Sequence, residues 1–221
     1  EVQPKAFGLP MALFDMAERI GLRDVVNQTV SGSVNGISIG DFVLIAAINR
    51  VGNHDSKESI GRWYDKTDLG KFQKVGSQKL NSKSFWYAFD KIVSEKPIKE
   101  EKALRGYAPN EKIDIDELEA ILDDSSIEAI EKGLWENLSQ RFGFVLDAVL
   151  YDTTNFYNHH DLDTPNALGQ FGKSKENQFN KRLIGLQLAM AKGLGIPVFH
   201  NVYCGNHHDA SLFPTAIRTL V

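Results

Sequence analysis

The segment VLYDTTNFY, residues 149–157, places a carboxylate directly after a run of apolar residues that is typical of a β-strand. Asp152 is followed by Thr153, Thr154 and Asn155, so four consecutive side chains carry oxygen atoms. Oxygen ligands are those that hard divalent cations prefer. The pattern therefore marks Asp152 as a candidate functional carboxylate. The three residues after it could orient that carboxylate, or merely satisfy backbone groups at the end of the strand.

Other candidate ligands are weaker. Adjacent histidines point to opposite sides of a strand, so neither histidine pair predicts a zinc site. Asp209 stands where a helix N-cap is expected, and we favour the cap over a ligand role. The side chains considered are His159, His160, Asp161, Asp163, His207, His208 and Asp209.

The last third of the chain predicts the elements that would position Asp152. FVLDAVLYD, RLIGLQLAM and IPVFHNVYC each predict a strand, and the first strand is expected to end at Asp152. The KGLG turn at 192–195 predicts a hairpin between the second and third strands. A helix should follow, with Asp209 or Ser211 as its cap and Pro214 inside its first turn.

The first half predicts helices. GISIGDFVLIAAINRVG indicates a buried helix capped by Ser38 or Asp41 and ended by Gly52. NSKSFWYAFDKIV indicates an amphipathic helix with a cap at Ser82 or Ser84. Further helices are expected in PMALFDMAERI, IDIDELEAIL and SSIEAIEKGLWENLSQRFG. The three tryptophans, Trp63, Trp86 and Trp135, are expected in the core.

The charge of the chain is unevenly distributed. The net charge is -4, yet residues 111–147 hold 11 of the 29 acidic residues and only 3 of the 25 basic ones. The segments on either side are slightly basic and could approach a phosphate backbone. Within HDSKESIGRWYDKTDLGKFQK, Arg62 and Lys66 are i, i+4 neighbours that would share one face of a helix. This face could bind DNA, or it could be an ordinary solvated surface.

No apolar run approaches the ~18 residues that a membrane span requires, and no signal-peptide pattern opens the chain. We therefore expect no membrane partner and a cytoplasmic protein. The single cysteine, Cys204, excludes an internal disulfide and is best interpreted as a small buried apolar residue.

Together these patterns predict an α/β protein with two regions. Residues 1–143 form a mostly helical region. Residues 144–221 form the first part of an RNase H-like catalytic core: three strands and the start of a helix, in an incomplete mixed sheet with covering helices. A strand, a long hairpin and a covering helix, with a carboxylate at the end of the first strand, begin an RNase H-like fold.

The order and wording of YDTTNFY, GKSKENQ and GLQLAMAKGLGIPVFHNVYCGNHHD resemble the core of insertion-sequence transposases with a DDE active site, of the IS-four type. The resemblance implies that Asp152 is the first of three catalytic carboxylates, which together hold two Mg²⁺ or Mn²⁺ ions for DNA cleavage and strand transfer. The second and third carboxylates are expected beyond residue 221. Lys173 and Lys175 are similar to a basic loop of the family that is placed to contact phosphate, although an ordinary solvated loop is the alternative. The resemblance also implies that the helical region, residues 1–143, is DNA-binding and helps to bind the element's ends.

Two functions remain open. The chain could be the N-terminal portion of a prokaryotic, nucleoid-associated transposase that acts on double-stranded DNA, at terminal repeats and at the target, as a homodimer on paired ends. Alternatively, it could be a catalytically dead, truncated remnant that binds DNA. Because only the first carboxylate is present, this chain alone is not expected to cut DNA.

Overall fold

The computed structural model describes residues 5–54, 56–92, 125–158, 168–172, 181–207 and 209–220. The chain divides into two compact units. The first holds the described residues up to 92 together with 125–144, and the second holds those from 145 onward. The predicted helix in IDIDELEAIL lies outside the described residues.

The first unit is helical, with one small hairpin. Its elements are α1 (Gly8–Arg19), α2 (Leu22–Thr29), β1 (Ser33–Val34), β2 (Ile37–Ser38), α3 (Ile39–Gly52), α4 (Ile60–Asp65), α5 (Leu69–Gln73), a 3₁₀ turn (Ser77–Lys79), α6 (Ser82–Phe89) and α7 (Ser125–Phe142). The hairpin turns at Asn35 and Gly36, which both have positive φ, as a tight two-residue turn requires.

Helix α3 is the centre of this unit, as its sequence predicts. Phe42, Leu44 and Ile45 are fully buried. The predicted cap at Ser38 is confirmed: its hydroxyl oxygen accepts a hydrogen bond from the backbone N–H of Asp41 at 3.1 Å. The helix ends at Gly52 as expected. Burial on most sides of α3 explains why its sequence is apolar all round.

The start and end of α6 differ from the sequence-based expectation. Its cap is Asn81 rather than Ser82 or Ser84, because the Asn81 side-chain oxygen accepts from the backbone N–H of Ser84 at 3.0 Å. The helix ends at Phe89 rather than continuing to residue 93. An asparagine oxygen one residue earlier competes well with serine as a cap.

The second unit is a sheet with one helix. Its elements are β3 (Val149–Asn158), β4 (Gln170–Phe171), β5 (Arg182–Ala191), β6 (Ile196–Cys204) and α8 (Asp209–Leu220). Strand β5 lies in the middle, with β3 on one side and with β6 and the short β4 on the other. All these pairs are antiparallel, so the described strands contain no parallel pair of the kind that the expected mixed sheet would have.

The protein is therefore of mixed α and β structure, and the predicted β5–β6 hairpin through 192–195 is confirmed. Helix α8 begins at Asp209, which puts Pro214 in its second turn and not in the first as expected. Buried and half-buried residues alternate along β5, so one face of the strand is buried and the other is half-buried. None of the described helices is long and apolar enough to cross a membrane.

Candidate functional site

Strand β3 positions Asp152 in its first half. The expectation that the strand ends at Asp152 is wrong: β3 begins at Val149 and runs through Asn158. The residues after the aspartate are rich in Thr and aromatic side chains, which favour extended structure. Every residue of β3, including those after the aspartate, pairs with a residue of β5. Regular strand backbone therefore both precedes and follows Asp152 in the chain.

The side chain of Asp152 lies on the exposed face of the sheet. It stands opposite Leu188 of β5, which in turn pairs with His200 of β6. Two strand spacings, about 9–10 Å, separate the backbones of β3 and β6 in this row. The surroundings of the carboxylate on this face are mainly apolar, with Leu150 and Phe156 exposed on the same strand.

One hydrogen bond orients the carboxylate. Its Oδ1 atom accepts from the backbone N–H of Thr153 at 2.8 Å. Within the described part of the chain, Asp152 forms no ion pair with a cationic side chain. An exposed carboxylate with no charge partner retains free lone pairs for a ligand.

The residues predicted to orient Asp152 are divided between the two faces of the sheet. Side chains alternate along a strand, so Thr154 shares the exposed face with Asp152, whereas Thr153 and Asn155 lie on the other face. Thr153 is buried there. It is the backbone of Thr153, and not its hydroxyl, that contacts the carboxylate.

A buried polar network lies on the face opposite Asp152. Gln187 is 1% exposed; its amide donates to the Tyr151 hydroxyl at 2.8 Å, and its carbonyl accepts from the Asn201 amide at 3.0 Å. The Tyr151 ring contacts Phe213 of α8 edge-on, at 5.3 Å between centroids. These contacts join β3, β5, β6 and α8 beneath Asp152. The network thus stabilises the part of the sheet that carries the Asp152 carboxylate.

The described residues do not by themselves complete a magnesium site. Among them, no group of three or more His, Cys, Asp or Glu side chains could hold a metal ion. His159, His160, Asp161, Asp163 and His208 lie outside the described residues. Asp209 is the first residue of α8, and His207 lies in the turn before it.

The predicted DNA-binding residues are only partly placed. Arg62 and Lys66 are both exposed, but Lys66 caps the C-terminus of α4 instead of lying within the helix. The Arg62 guanidinium donates to the Ser59 hydroxyl at 3.1 Å. Lys173 and Lys175 lie outside the described residues.

One of the three tryptophans contradicts the expectation that all are in the core. Trp63 packs against the core of the first unit, and Trp135 is half-buried, but Trp86 is 55% exposed. Helical spacing could have revealed this. Phe85, Ala88 and Phe89 make the inner face of α6, which leaves Trp86 on the outer face. Cys204 is buried, as expected.

A polar cleft of about 580 Å³ lies between α7 and the α1–α2 pair. Several of its polar groups already have partners. Arg19 pairs with Asp15 at 2.7 Å, Glu18 pairs with Arg23 at 2.6 Å, and the Asn137 amide donates to the Ile20 carbonyl at 3.0 Å. These contacts explain the cleft as the seam where α7 packs on the rest of the unit.

Comparison with protein-family models, with curated proteins and with solved structures returned no match.

Proposed function

We propose that this chain is part of a DDE transposase of the insertion-sequence type, an enzyme that cleaves and rejoins DNA at the ends of a mobile element. In this proposal the helical unit contributes to DNA binding, and Asp152 is the first of the catalytic carboxylates. Double-stranded DNA of the element ends and of the target, and a second copy of the chain, are the partners it implies. The proposal begins from the resemblance of the segments around Asp152 to this family.

The observation that supports the proposal most directly is the placement of Asp152. Aspartate is depleted in strands, and here it stands on a face made mainly of apolar side chains. A purely structural carboxylate would be expected to have a cationic partner or a capping role, and the described residues supply no such cation. A carboxylate on a rigid strand with free oxygen lone pairs suits a ligand-binding role.

The proposed Mg²⁺ or Mn²⁺ ions would need further oxygen ligands besides Asp152. The resemblance assigns these to carboxylates later in the parent sequence. The role that the described residues can support is therefore a limited one: to hold one carboxylate rigidly, oriented by the Thr153 backbone, on the exposed face of the sheet.

The test is an excision assay with the complete gene and its flanking DNA on a donor plasmid. Asp152→Asn should reduce excised product by a factor of at least about 10³, because a catalytic carboxylate would be lost. Asp147→Asn is the matched control: Asp147 is exposed and precedes β3 by two residues. Excision by Asp152→Asn at the wild-type level would contradict the proposal.

The alternative, a DNA-binding protein without catalytic activity, predicts a different result in the same system. The wild-type protein would slow the migration of DNA fragments that carry the element ends in a gel-shift assay at fixed salt. Neither the wild type nor the Asp152→Asn variant would give excised product. The aromatic rings exposed on α6, and the lysines beside them, favour keeping this second candidate.

A further inference from the structure

The outer face of α6 carries two exposed aromatic side chains on a rigid support. On the inner face, Phe85 is fully buried and meets the Phe42 ring edge-on, at 5.0 Å between centroids. Ala88 is also fully buried. Trp86 and Tyr87 therefore point outward, and they are 55% and 51% exposed. Large aromatic rings left in water at adjacent positions of a well-packed helix are typical of a contact surface.

Each of these rings has a lysine ammonium beside it. Lys57 Nζ lies 3.9 Å from the centroid of the Trp86 ring, and Lys83 Nζ lies 5.6 Å from that of Tyr87. Both distances fall within the range of cation–π attraction. The contacts orient the rings and also place positive charge next to each of them.

The surroundings of this face add more positive charge. Lys79 donates to the Asn35 carbonyl at the tip of the β1–β2 hairpin at 3.0 Å, and the Asn35 amide donates to the Ser84 hydroxyl of α6 at 3.0 Å. Lys91 lies just past the end of α6, four residues after Tyr87, and is exposed. The exposed carboxylates next to these groups in the sequence are Glu58 and Asp90. Among the described residues, four lysines against these two acids give this face a net positive charge.

We propose that Trp86 and Tyr87, together with Lys57 and Lys83, form a surface that binds a DNA strand with unpaired bases. The rings would stack on bases, and the ammonium groups would contact the adjacent phosphates. Intact duplex is a poorer partner, because its bases are already stacked on each other and present only their edges. The charge of the face favours a polyanion over a neutral protein surface. This inference rests on the proposed function and deepens it, since it assigns the helical unit a DNA structure to recognise.

The test compares fluorescence polarisation of two labelled probes at one fixed salt concentration: an oligonucleotide of about 16 thymidines and a duplex of the same length. Trp86→Ala/Tyr87→Ala should weaken binding of the single strand about tenfold or more, and binding of the duplex much less. Trp86→Phe, which keeps an aromatic ring, should bind the single strand more tightly than Trp86→Ala/Tyr87→Ala but more weakly than the wild type. Lys57→Gln/Lys83→Gln should flatten the dependence of affinity on salt, because fewer phosphates are neutralised.

Matched controls come from other helices of the same unit. Phe72→Ala removes an exposed ring from α5, and Lys132→Gln removes an exposed ammonium from α7. Both should bind the oligonucleotide like the wild type. Circular dichroism of every variant establishes that the unit is folded.

Three outcomes would overturn the inference. Wild-type affinity in Trp86→Ala/Tyr87→Ala would exclude stacking, and an equal loss for single strand and duplex would show that only phosphate is recognised. If the wild type bound neither probe, the surface would not bind DNA, and a protein would be the expected partner. The proposed function is judged separately, because excision in the donor-plasmid assay depends on Asp152, and Asp152→Asn should bind the oligonucleotide normally.

Discussion

Asp152 and Leu188 are direct cross-strand partners on the exposed face of the second unit, so a carboxylate stands beside apolar side chains. The next pair along the two antiparallel strands, Thr153 and the buried Gln187, lies on the opposite face. The same sheet thus offers a charged group to solvent and buries an amide beneath it. The exposed aspartate lowers the strand propensity of its position, whereas the buried amide is stabilised by its two hydrogen bonds.

Replacing Asp152 should stabilise the sheet. Asp152→Thr substitutes a β-branched residue at a strand position and is expected to raise the free energy of unfolding by about 0.5–1 kcal/mol. Hydrogen exchange of the β5 amides measures this locally in the second unit. Asp147→Thr, outside the strand, should change protection by less than about 0.5 kcal/mol. A loss of protection in Asp152→Thr would show that the carboxylate has a structural role.

Replacing Gln187 should destabilise the same sheet. Gln187→Leu leaves the half-buried Asn201 amide and Tyr151 hydroxyl without the partners they have now. The expected loss is about 2–4 kcal/mol, since each orphaned polar group costs about 1–3. Hydrogen exchange of β5 is again the measurement. Thr154→Val, on the exposed face, is the control and should have little effect; equal behaviour of the two variants would contradict the proposed network.

The packing of α7 on α2 should depend on Gly133. A Cβ atom at this position would lie 2.8 Å from Val25 Cγ1. Gly133→Ala gains helix propensity of about 1 kcal/mol but crowds a tight contact, so we expect a net loss of about 1–2 kcal/mol. Urea unfolding monitored by tryptophan fluorescence reports on this unit, which contains all three tryptophans.

Two further variants test that explanation. Val25→Ala in the Gly133→Ala background should restore part of the loss, because it removes the crowded methyl groups. Gly8→Ala adds a methyl group to α1 where no atom lies within 4 Å, and it should not destabilise. If Gly133→Ala alone stabilised the unit, the contact between α7 and α2 would not be as tight as this explanation requires.

Alkaline pH should destabilise the first unit through Tyr64. Burial of this side chain, which is 2% exposed, raises its pKa to about 12, with a smaller contribution from the Asp41 carboxylate. The Val75 backbone opposes the shift, although it lies outside hydrogen-bonding geometry with the hydroxyl. Because the folded state favours neutral tyrosine, its contribution is complete below about pH 10 and is lost as the pH rises through about 12.

The loss from Tyr64 should reach at most about 2–3 kcal/mol. Tyr64→Phe should make the fall in unfolding free energy between pH 10 and pH 12 shallower. At pH 8 the same variant should cost little, because the hydroxyl has no hydrogen-bond partner among the described residues. Tyr87→Phe changes an exposed tyrosine and should keep the wild-type pH dependence; identical curves for all three proteins would exclude the effect of Tyr64.

Features that depend on neighbours in the sequence could be predicted well. The Ser38 cap of α3 involves a residue three positions away, and the β5–β6 hairpin is set by the short turn at 192–195. By contrast, the extent of β3 depends on pairing with β5, a partner about thirty residues further along the chain. An apolar run followed by Asp and Thr is compatible with a strand that ends or continues, and only the pairing decides between them.

The candidate site divides in the same way. The sequence by itself determined that Asp152 belongs to a strand and that oxygen-bearing side chains follow it. Only the tertiary structure decided that Asp152 faces solvent and that Thr153 orients it through the backbone. The physical reason is that a residue's type restricts what it can bind, whereas the face on which it lies depends on strand register and helix packing between segments distant in the chain.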